Sequence, residues 1–484
     1  MQSTLCNQCQ RSPSVKTLEL LSVGIDIGTT TTQVIFSRLS LVNRASISQV
    51  PRYEFVKREI IWQSPVLFTP VDFAGFLREE ELLALVLAQY QAAGIAPETI
   101  DSGAIIITGE TAKTRNARPA IVALSQRLGD FVVATAGPHL ESIIAGFGSG
   151  AQTLSEQKMA RVLNIDIGGG TANYVLFEAG RVISSACLNV GGRLLETRSD
   201  GHVLRAHPAG QWIADSLFGT GVNVENLTLI QLNQIAARMA QLLLEVFNGA
   251  PSSLAQRLLM TDALPVCDSL YALTLSGGVG ECFRAGENDN PFRFGDIGPL
   301  LAQAIHNDPG FAALPVQVPN QTVRATVIGA GAHTLSLSGS TIWLDGLSLP
   351  IRNIPVVHPA GGNAALLVDE WLQALTQMDL QPQQDLYALA LPTELPVSYA
   401  SVQQCIEALQ TFCAHFPNPH PLLVVACQDF GKALGMLLRP MMAQRQLAVI
   451  DEVITRTGDY IDIGTPLFGG AVVPVTVKSL AFPS

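Results

Sequence analysis

One short phrase occurs twice: Val23-Gly24-Ile25-Asp26-Ile27-Gly28-Thr29-Thr30-Thr31 and Leu163-Asn164-Ile165-Asp166-Ile167-Gly168-Gly169-Gly170-Thr171, with the two aspartates 140 residues apart. Each copy is an apolar strand that ends on Asp, turns through Gly and Thr, and enters a second apolar run at 33–36 or 173–177, the pattern of a β-hairpin with a polar tip. Glycines let backbone N–H groups approach an anion, and threonine hydroxyls add donors to its oxygens. A carboxylate beside such a tip suits a hydrated Mg²⁺, which keeps most of its waters and touches few protein oxygens. Two such hairpins facing each other would clamp a nucleoside triphosphate from both sides.

The chain of 484 residues, 48% apolar, is long enough for about three domains. A net charge of −11 argues against nucleic-acid or anionic-membrane binding, since both need a basic field. Aromatic stripes for base stacking are also missing from the sequence. Any phosphate must therefore be held by local geometry. Eight cysteines, at 6, 9, 187, 267, 282, 405, 413 and 427, form no disulfide ladder, which fits the reducing cytoplasm. Residues 1–20 are expected to be a flexible leader without a secretory core, and no segment is apolar for the length of a bilayer. Cys6 and Cys9 have the spacing of half a zinc site but lack a second pair nearby, so they read as incidental thiols.

Periodicity predicts strands at 23–28 and 31–37, a β-like stretch at 50–62, a helix over 73–94, a buried strand at 103–108, a helix over 117–128 and a strand at 131–134. The second third repeats the plan with strands at 162–167, 172–177 and 182–189, a helix over 228–247, and a strand at 272–275 running into Ser276-Gly277-Gly278-Val279-Gly280-Glu281. The two halves read as a duplication. Two stretches rich in small residues, 140–148 and 325–332, read as helical connectors that allow close approach and hinging. Beyond about Gly339, Pro and Gln rise and a separate α/β pattern follows: strand 386–391, helix 402–415, strand 422–426, helix 430–442, strand 448–453.

These segments in this order resemble the actin-like ATPase superfamily, which includes heat-shock chaperones and sugar kinases. The resemblance implies an α/β fold of duplicated ribonuclease H-like domains around a nucleotide cleft, plus a C-terminal α/β accessory domain. It places the first lobe at 21–160, with 325–345 returning to it, the second at 161–324 and the accessory domain at 346–484. Within the superfamily the whole chain resembles the ethanolamine ammonia-lyase reactivating factors. The likeness is carried by Ile107-Thr108-Gly109-Glu110-Thr111-Ala112-Lys113-Thr114-Arg115-Asn116-Ala117-Arg118, by Leu188-Asn189-Val190-Gly191-Gly192-Arg193-Leu194-Leu195-Glu196, by Gln428-Asp429-Phe430-Gly431-Lys432-Ala433-Leu434-Gly435 and by the tail from Asp459 to Phe482. It implies an ATP- and Mg²⁺-dependent chaperone that acts on the adenosylcobalamin enzyme ethanolamine ammonia-lyase and releases damaged cobalamin. A cytoplasmic setting follows, and association with a bacterial microcompartment is raised by the same likeness.

By that resemblance 26–31 is the first phosphate loop, 166–171 the second and 276–281 the adenosine loop. Asp26 and Asp166 are assigned to the Mg²⁺ hydration shell, Asp166 also to orienting the attacking water. Gly28, Thr29, Thr30 and Thr31, with Gly168, Gly169, Gly170 and Thr171, are the expected donors to phosphate oxygens. Gly277 and Gly278 leave a flat surface for adenine and ribose, and Gly329 of the second connector joins the nucleotide-binding set. In chaperone relatives a carboxylate in the first connector positions the water. Aligning the glycines puts His139 there, and Glu141, two residues on, becomes the candidate, an exchange that fits slow hydrolysis.

A third echo, Tyr460-Ile461-Asp462-Ile463-Gly464-Thr465-Pro466, reads as an ordinary strand-end turn because Pro466 removes a backbone donor. His333, His358 and His415 are solitary and read as structural or solvated. The run 111–118, with Lys113, Arg115 and Arg118, fits an exposed face as well as a contact to phosphate or a partner. Gly191-Gly192-Arg193 reads as a tight turn before a helix rather than a substrate contact. Two other functions remain open on this fold: a small-molecule kinase, which would need an acid to deprotonate an acceptor hydroxyl, and a filament-forming ATPase.

Overall fold

Alternation of apolar and small or polar residues makes Thr17–Ile27 (β1) a strand whose Val23, Ile25 and Ile27 are fully buried on one face. The computed structural model describes residues 17–28, 31–43, 53–65, 67–72, 76–108, 116–128, 131–135, 137–266, 269–286, 290–318, 332–338, 342–361, 364–442, 445–464 and 473–479. β1 thus begins inside the stretch read as a leader. It pairs antiparallel with Thr31–Asn43 (β2) from Thr17↔Val42 to Ile27↔Thr32, and the hairpin closes with the Gly28 N–H donating to the Thr31 carbonyl at 2.9 Å. Tyr53–Gln63 (β3) and Leu67–Phe68 (β4) pair antiparallel with β2, while Ser102–Ile107 (β5) joins β1 in parallel and Phe131–Thr135 (β6) joins β5 in parallel.

The second lobe repeats this pattern. Arg161–Ile167 (β7), Ala172–Glu178 (β8) and Arg181–Leu188 (β9) form the antiparallel part. Leu195–Thr197 (β10) and Val203–Ala206 (β11) make a separate hairpin; Ala272–Ser276 (β12) and Val316–Gln317 (β13) then add to β7 in parallel. The two sheet orders, β3-β2-β1-β5-β6 and β9-β8-β7-β12-β13, carry the same sequence of strand directions. Even the turn is copied, because the Gly168 N–H donates to the Thr171 carbonyl at 2.9 Å. The chain is therefore a duplicated α/β fold, as its twin phrases imply.

The expected helices form, with shifted ends, beside others the sequence did not announce, such as Pro208–Phe218 and Gly298–Asn307. The helix expected over 73–94 starts at Glu79 and runs Glu79–Ala93; Glu79, Glu80 and Glu81 favour the positive end of its dipole, and Gly94, at φ 68°, stops it. Leu229–Phe247 is held at its start by a reciprocal Thr228–Gln231 capping box, and its Leu232, Ile235, Met239 and Leu243 enter the second-lobe core. The first connector is the helix Pro138–Gly148, lying on the second-lobe sheet. A Cβ on Gly146 would stand 2.4 Å from Val175 Cγ1 and 2.7 Å from the Phe177 ring, so the helix approaches β8 only because position 146 has no side chain.

The C-terminal part builds an eight-stranded mixed sheet from Ala332–Ser338 (β14), Trp343–Asp345 (β15), Ile351–Val357 (β16), Ala388–Ala390 (β17), Leu422–Val425 (β18), Leu447–Ile450 (β19), Asp459–Ile463 (β20) and Val473–Ser479 (β21). Ala332, expected to be helical, opens β14, which pairs with β21; the rest of that connector, including Gly329, lies outside the described residues. The helices Tyr399–His415 and Gly431–Leu438 answer to the expected ones, the second ending four residues early. Leu367–Gln377 was not anticipated, although Leu367, Trp371, Ala374 and Leu375 have helical spacing and bury one face.

One contact ties this part to the connector. Asp379, in the left-handed region at φ 55°, accepts a hydrogen bond from the Leu140 N–H at 3.2 Å, so a residue 239 positions away caps the connector helix. Met378 and Tyr460 pack with Leu140, Ile144, Ala104 and Ile106 beside it. Gly137 is required there, since its Cβ would fall 2.3 Å from the Asp379 carboxyl carbon.

Gly146→Ala is expected to overpack the connector against β8 and cost about 1–3 kcal/mol, read as a lowered denaturation midpoint. An unchanged midpoint would show that the helix does not bear on the sheet as described.

Candidate functional site

Asp26 and Asp166 stand at the carboxyl ends of β1 and β7, each followed one residue later by its phosphate-type turn. Each takes a hydroxyl from its own parallel neighbour. Thr108, just past β5, donates to Asp26 Oδ1 at 3.3 Å, and Ser276, at the end of β12, donates to Asp166 Oδ1 at 2.5 Å. A buried relay extends the second contact: the Asn164 amide donates to Ser276 Oγ at 3.2 Å, and Thr274 Oγ1 donates to Asn164 Oδ1 at 2.8 Å. Register explains it, because Thr274 pairs with Asn164 and Ser276 with Asp166.

The two carboxyls also sense one another. Burial, and then the charge of Asp166, push the Asp26 carboxyl up to about 7, against which the Thr108 hydrogen bond works. Burial likewise pushes Asp166 up to about 6, with the Ser276 hydroxyl opposing. The fold thus brings the two sequence-identified aspartates within electrostatic reach across the two lobes.

Around them the backbone is bare. Gly277, at φ 81°, begins the helix Gly277–Ala285, and a Cβ there would sit 2.4 Å from the Ile167 carbonyl, so β7 and the adenosine-type loop meet only through glycine. Gly170 and Gly278 face space with no heavy atom within 4 Å of a Cβ position. Ser276 spends its hydroxyl on Asp166 and does not cap the helix, whose first amides are left without a side-chain acceptor.

Thr31 opens β2 beside Gly28, while Thr29, Thr30, Lys113 and Arg115 lie outside the described residues, as do Cys6, Cys9 and Pro466. Glu141 occupies the first turn of the helix Pro138–Gly148 and is not among the groups that move either aspartate; its neighbour His139 bonds Ser185 Oγ through Nδ1 at 2.8 Å. Asp462 of the third echo is engaged elsewhere, in an ion pair with buried Lys478 at 2.6 Å and as acceptor from the Asn353 N–H. His358 and His415 turn Nδ1 to the Pro359 and Thr411 carbonyls, which is a structural use. The turn at Gly191-Gly192-Arg193 precedes the strand β10, not a helix, because Leu195 pairs with Ala206 in the hairpin. Ser276 was placed in the adenosine loop but its bond to Asp166 was not, and Thr108 and Asn164 had no role; the available signal was a polar residue ending each buried strand, Thr108 after β5 and Ser276 on β12.

These residues fit a hydrated divalent cation with a nucleotide. Two carboxyls with no cationic partner among the described residues, each costly to ionise where it stands, are what a dication relieves. No group of three or more metal-ligating side chains occurs among the described residues, so water and phosphate would supply most of its shell. The open space before Gly170 and Gly278 leaves room for a phosphate and a base.

The folded chain holds a proton on Asp26 up to about pH 7, whereas the unfolded chain releases it near 3.8, so this group makes folding stability fall as pH rises between those values. Asp26→Asn should therefore raise the melting temperature of the nucleotide-free protein at pH 8, with the gain closing below pH 4. It should also weaken Mg²⁺-dependent nucleotide uptake by about tenfold or more, measured by calorimetry.

A family model described as "Ethanolamine utilisation protein EutA" matches residues 18–483. Proteins of Salmonella typhimurium and Escherichia coli, each named "Ethanolamine ammonia-lyase reactivase EutA", are 68% identical over 470 residues, which is 97% of this chain and 100% of theirs. Among solved structures, the Aquifex aeolicus member of the Ppx/GppA family is 12% identical, covering 64% of this chain and 97% of that one at a TM-score of 0.37. MreB 5 of Spiroplasma citri bound to AMPPNP is 13% identical, covering 64% and 94% at a TM-score of 0.33. Scores below 0.5 bear on no functional argument. No helix among the described residues is long and apolar enough to cross a membrane.

Proposed function

The chain belongs to the EutA family of ethanolamine utilisation proteins, and from that premise we propose that it is an ATP- and Mg²⁺-dependent reactivating chaperone of ethanolamine ammonia-lyase, releasing damaged cobalamin so that intact cofactor can bind. The observation that carries the reading is the meeting of Asp26 and Asp166, each on its own phosphate-type turn, across two copies of one fold. Identity of 68% over 97% of the chain to proteins named as reactivases favours it over the kinase and filament alternatives. The reading includes a cytoplasmic setting and work at the bacterial microcompartment.

Bound ATP with Mg²⁺ would supply the free energy and the charge that offsets the phosphates. The protein's part is positioning. Ser276 holds Oδ1 of Asp166, which leaves Oδ2 to accept from a metal-bound or attacking water. Gly168, Gly169, Gly170 and Thr171 on one lobe and Gly28 with Thr31 on the other would donate to the phosphates, and Gly277 and Gly278 would leave room for the nucleoside. Glu141 is the second candidate for orienting water, from the connector. Closure between ATP and ADP states would move the connector helix, and with it Asp379 and the C-terminal part. Such a change shifts the lyase only if one state binds it better.

The test is rescue. Lyase inactivated by turnover or by cyanocobalamin should recover with this protein, ATP, Mg²⁺ and adenosylcobalamin, and recovery no greater than without ATP would overturn the reading. Asp166→Ala should abolish rescue and keep the fold. Ser276→Ala removes a hydrogen bond that favours the ionised carboxyl, so ATP hydrolysis should persist with its acidic limb moved up by about one pH unit.

A further inference from the structure

Each phosphate turn is braced by a residue from outside its hairpin, and the two braces touch. On the first lobe, Phe68 pairs with Thr31, and the next residue, Thr69, donates its hydroxyl to the Gly28 carbonyl at 2.8 Å. On the second, the Arg193 N–H donates to the Gly169 carbonyl at 2.7 Å and the Gly192 N–H to the Gly168 carbonyl at 2.9 Å. The far side of that turn is fixed as well, since the Ile297 N–H donates to the Gly192 carbonyl at 3.0 Å and Gly191 has no room for a side chain against Gly169. From this rigid base the Arg193 guanidinium carbon lies 4.7 Å from the centroid of the Phe68 ring, bridging the lobes at the mouth of the cleft.

The bridge is a weak one for so firmly rooted a cation. Phe68 is 65% exposed, so the guanidinium rests on a wet ring, where cation–π attraction is small. A polyphosphate between the turns would add several negative charges beside Asp26 and Asp166, more than one dication offsets. Guanidinium matches phosphoryl oxygens in charge and in paired geometry, and it outcompetes an exposed ring for them.

Resting on the nucleotide reading above, we propose that Arg193 is a terminal-phosphate contact, parked on Phe68 in the nucleotide-free cleft and transferred to the γ-phosphoryl oxygens when a nucleoside triphosphate is held between the turns. Phe68 and the nearby Asp296 carboxyl, which feels the Arg193 charge, hold it at rest and compete with the ligand. The movement would release one contact between lobes and replace it with another that depends on the third phosphate, so the cleft distinguishes triphosphate from diphosphate.

The test is calorimetric titration of the full chain with the magnesium complexes of ADP and of a non-hydrolysable ATP analogue. Arg193→Ala should weaken the triphosphate by about tenfold or more and the diphosphate by less than about threefold, with Arg193→Lys between it and the parent. Phe68→Ala should leave triphosphate affinity equal or tighter. Arg193→Gln, which keeps most of the side-chain volume, should repeat the Arg193→Ala result if the latter melts early. A parent that binds both nucleotides while Arg193→Ala and Arg193→Gln keep its triphosphate-to-diphosphate ratio overturns this assignment alone; a parent that binds neither overturns the nucleotide reading and this assignment together.

Discussion

Two carboxylates that repel each other in a poorly hydrated cleft set the terms for the rest of the molecule. Asp26 and Asp166 are each held by a strand buried on both sides, and each is compensated by one hydroxyl rather than by a lysine or arginine among the described residues. Such a pair is an expensive arrangement for a protein at rest. It becomes favourable when positive charge is brought between the lobes. The surrounding features serve that end: glycines that keep the backbone open, hydroxyls that fix one oxygen of each acid, and a helix start whose amides are not capped from within.

The duplication is topologically faithful and chemically uneven. Both sheets share one order and one closing turn bond, yet the first lobe supports its aspartate with a single hydroxyl and the second with a chain of three buried polar side chains. A relay whose members satisfy one another holds its geometry more tightly than an isolated bond. This unevenness supports giving Asp166 the water-orienting role and Asp26 that of a partner in holding the cation. Burial pushes both carboxyls up, and the charge of Asp166 adds to the rise at Asp26.

Most of this was legible where the determinants are local. A strand, an acid and a glycine turn are contiguous, so the twin phrases disclosed the lobes, the hairpins and the two aspartates directly. The start of the helix Glu79–Ala93 and the strand after Gly191-Gly192-Arg193 were missed because strand pairing, not local periodicity, sets each: Val71 bridges Leu77 before the helix, and Leu195 pairs with Ala206. The hydrogen bonds of Thr108, Ser276 and Asn164 to the aspartates and to each other were not foreseen, since they come from parallel register rather than from the motifs those residues belong to. The third echo shows the converse. Asp462 carries the right local phrase, but Lys478 from the adjacent strand claims its carboxylate.

Asp379 gives the C-terminal part a place in the machinery that its position in the sequence does not suggest. By lending a carboxylate to the Leu140 amide, it caps the helix Pro138–Gly148, which has no side-chain cap of its own. The C-terminal part is thus a structural support of this helix, not cargo appended to it. A shortened chain ending after the second lobe would expose the apolar patch of Leu140 and Ile144 and leave the start of the helix Pro138–Gly148 uncapped. Evolutionary exchange of this tail for another would have to preserve an acid at that corner, which constrains how the fold can be recombined.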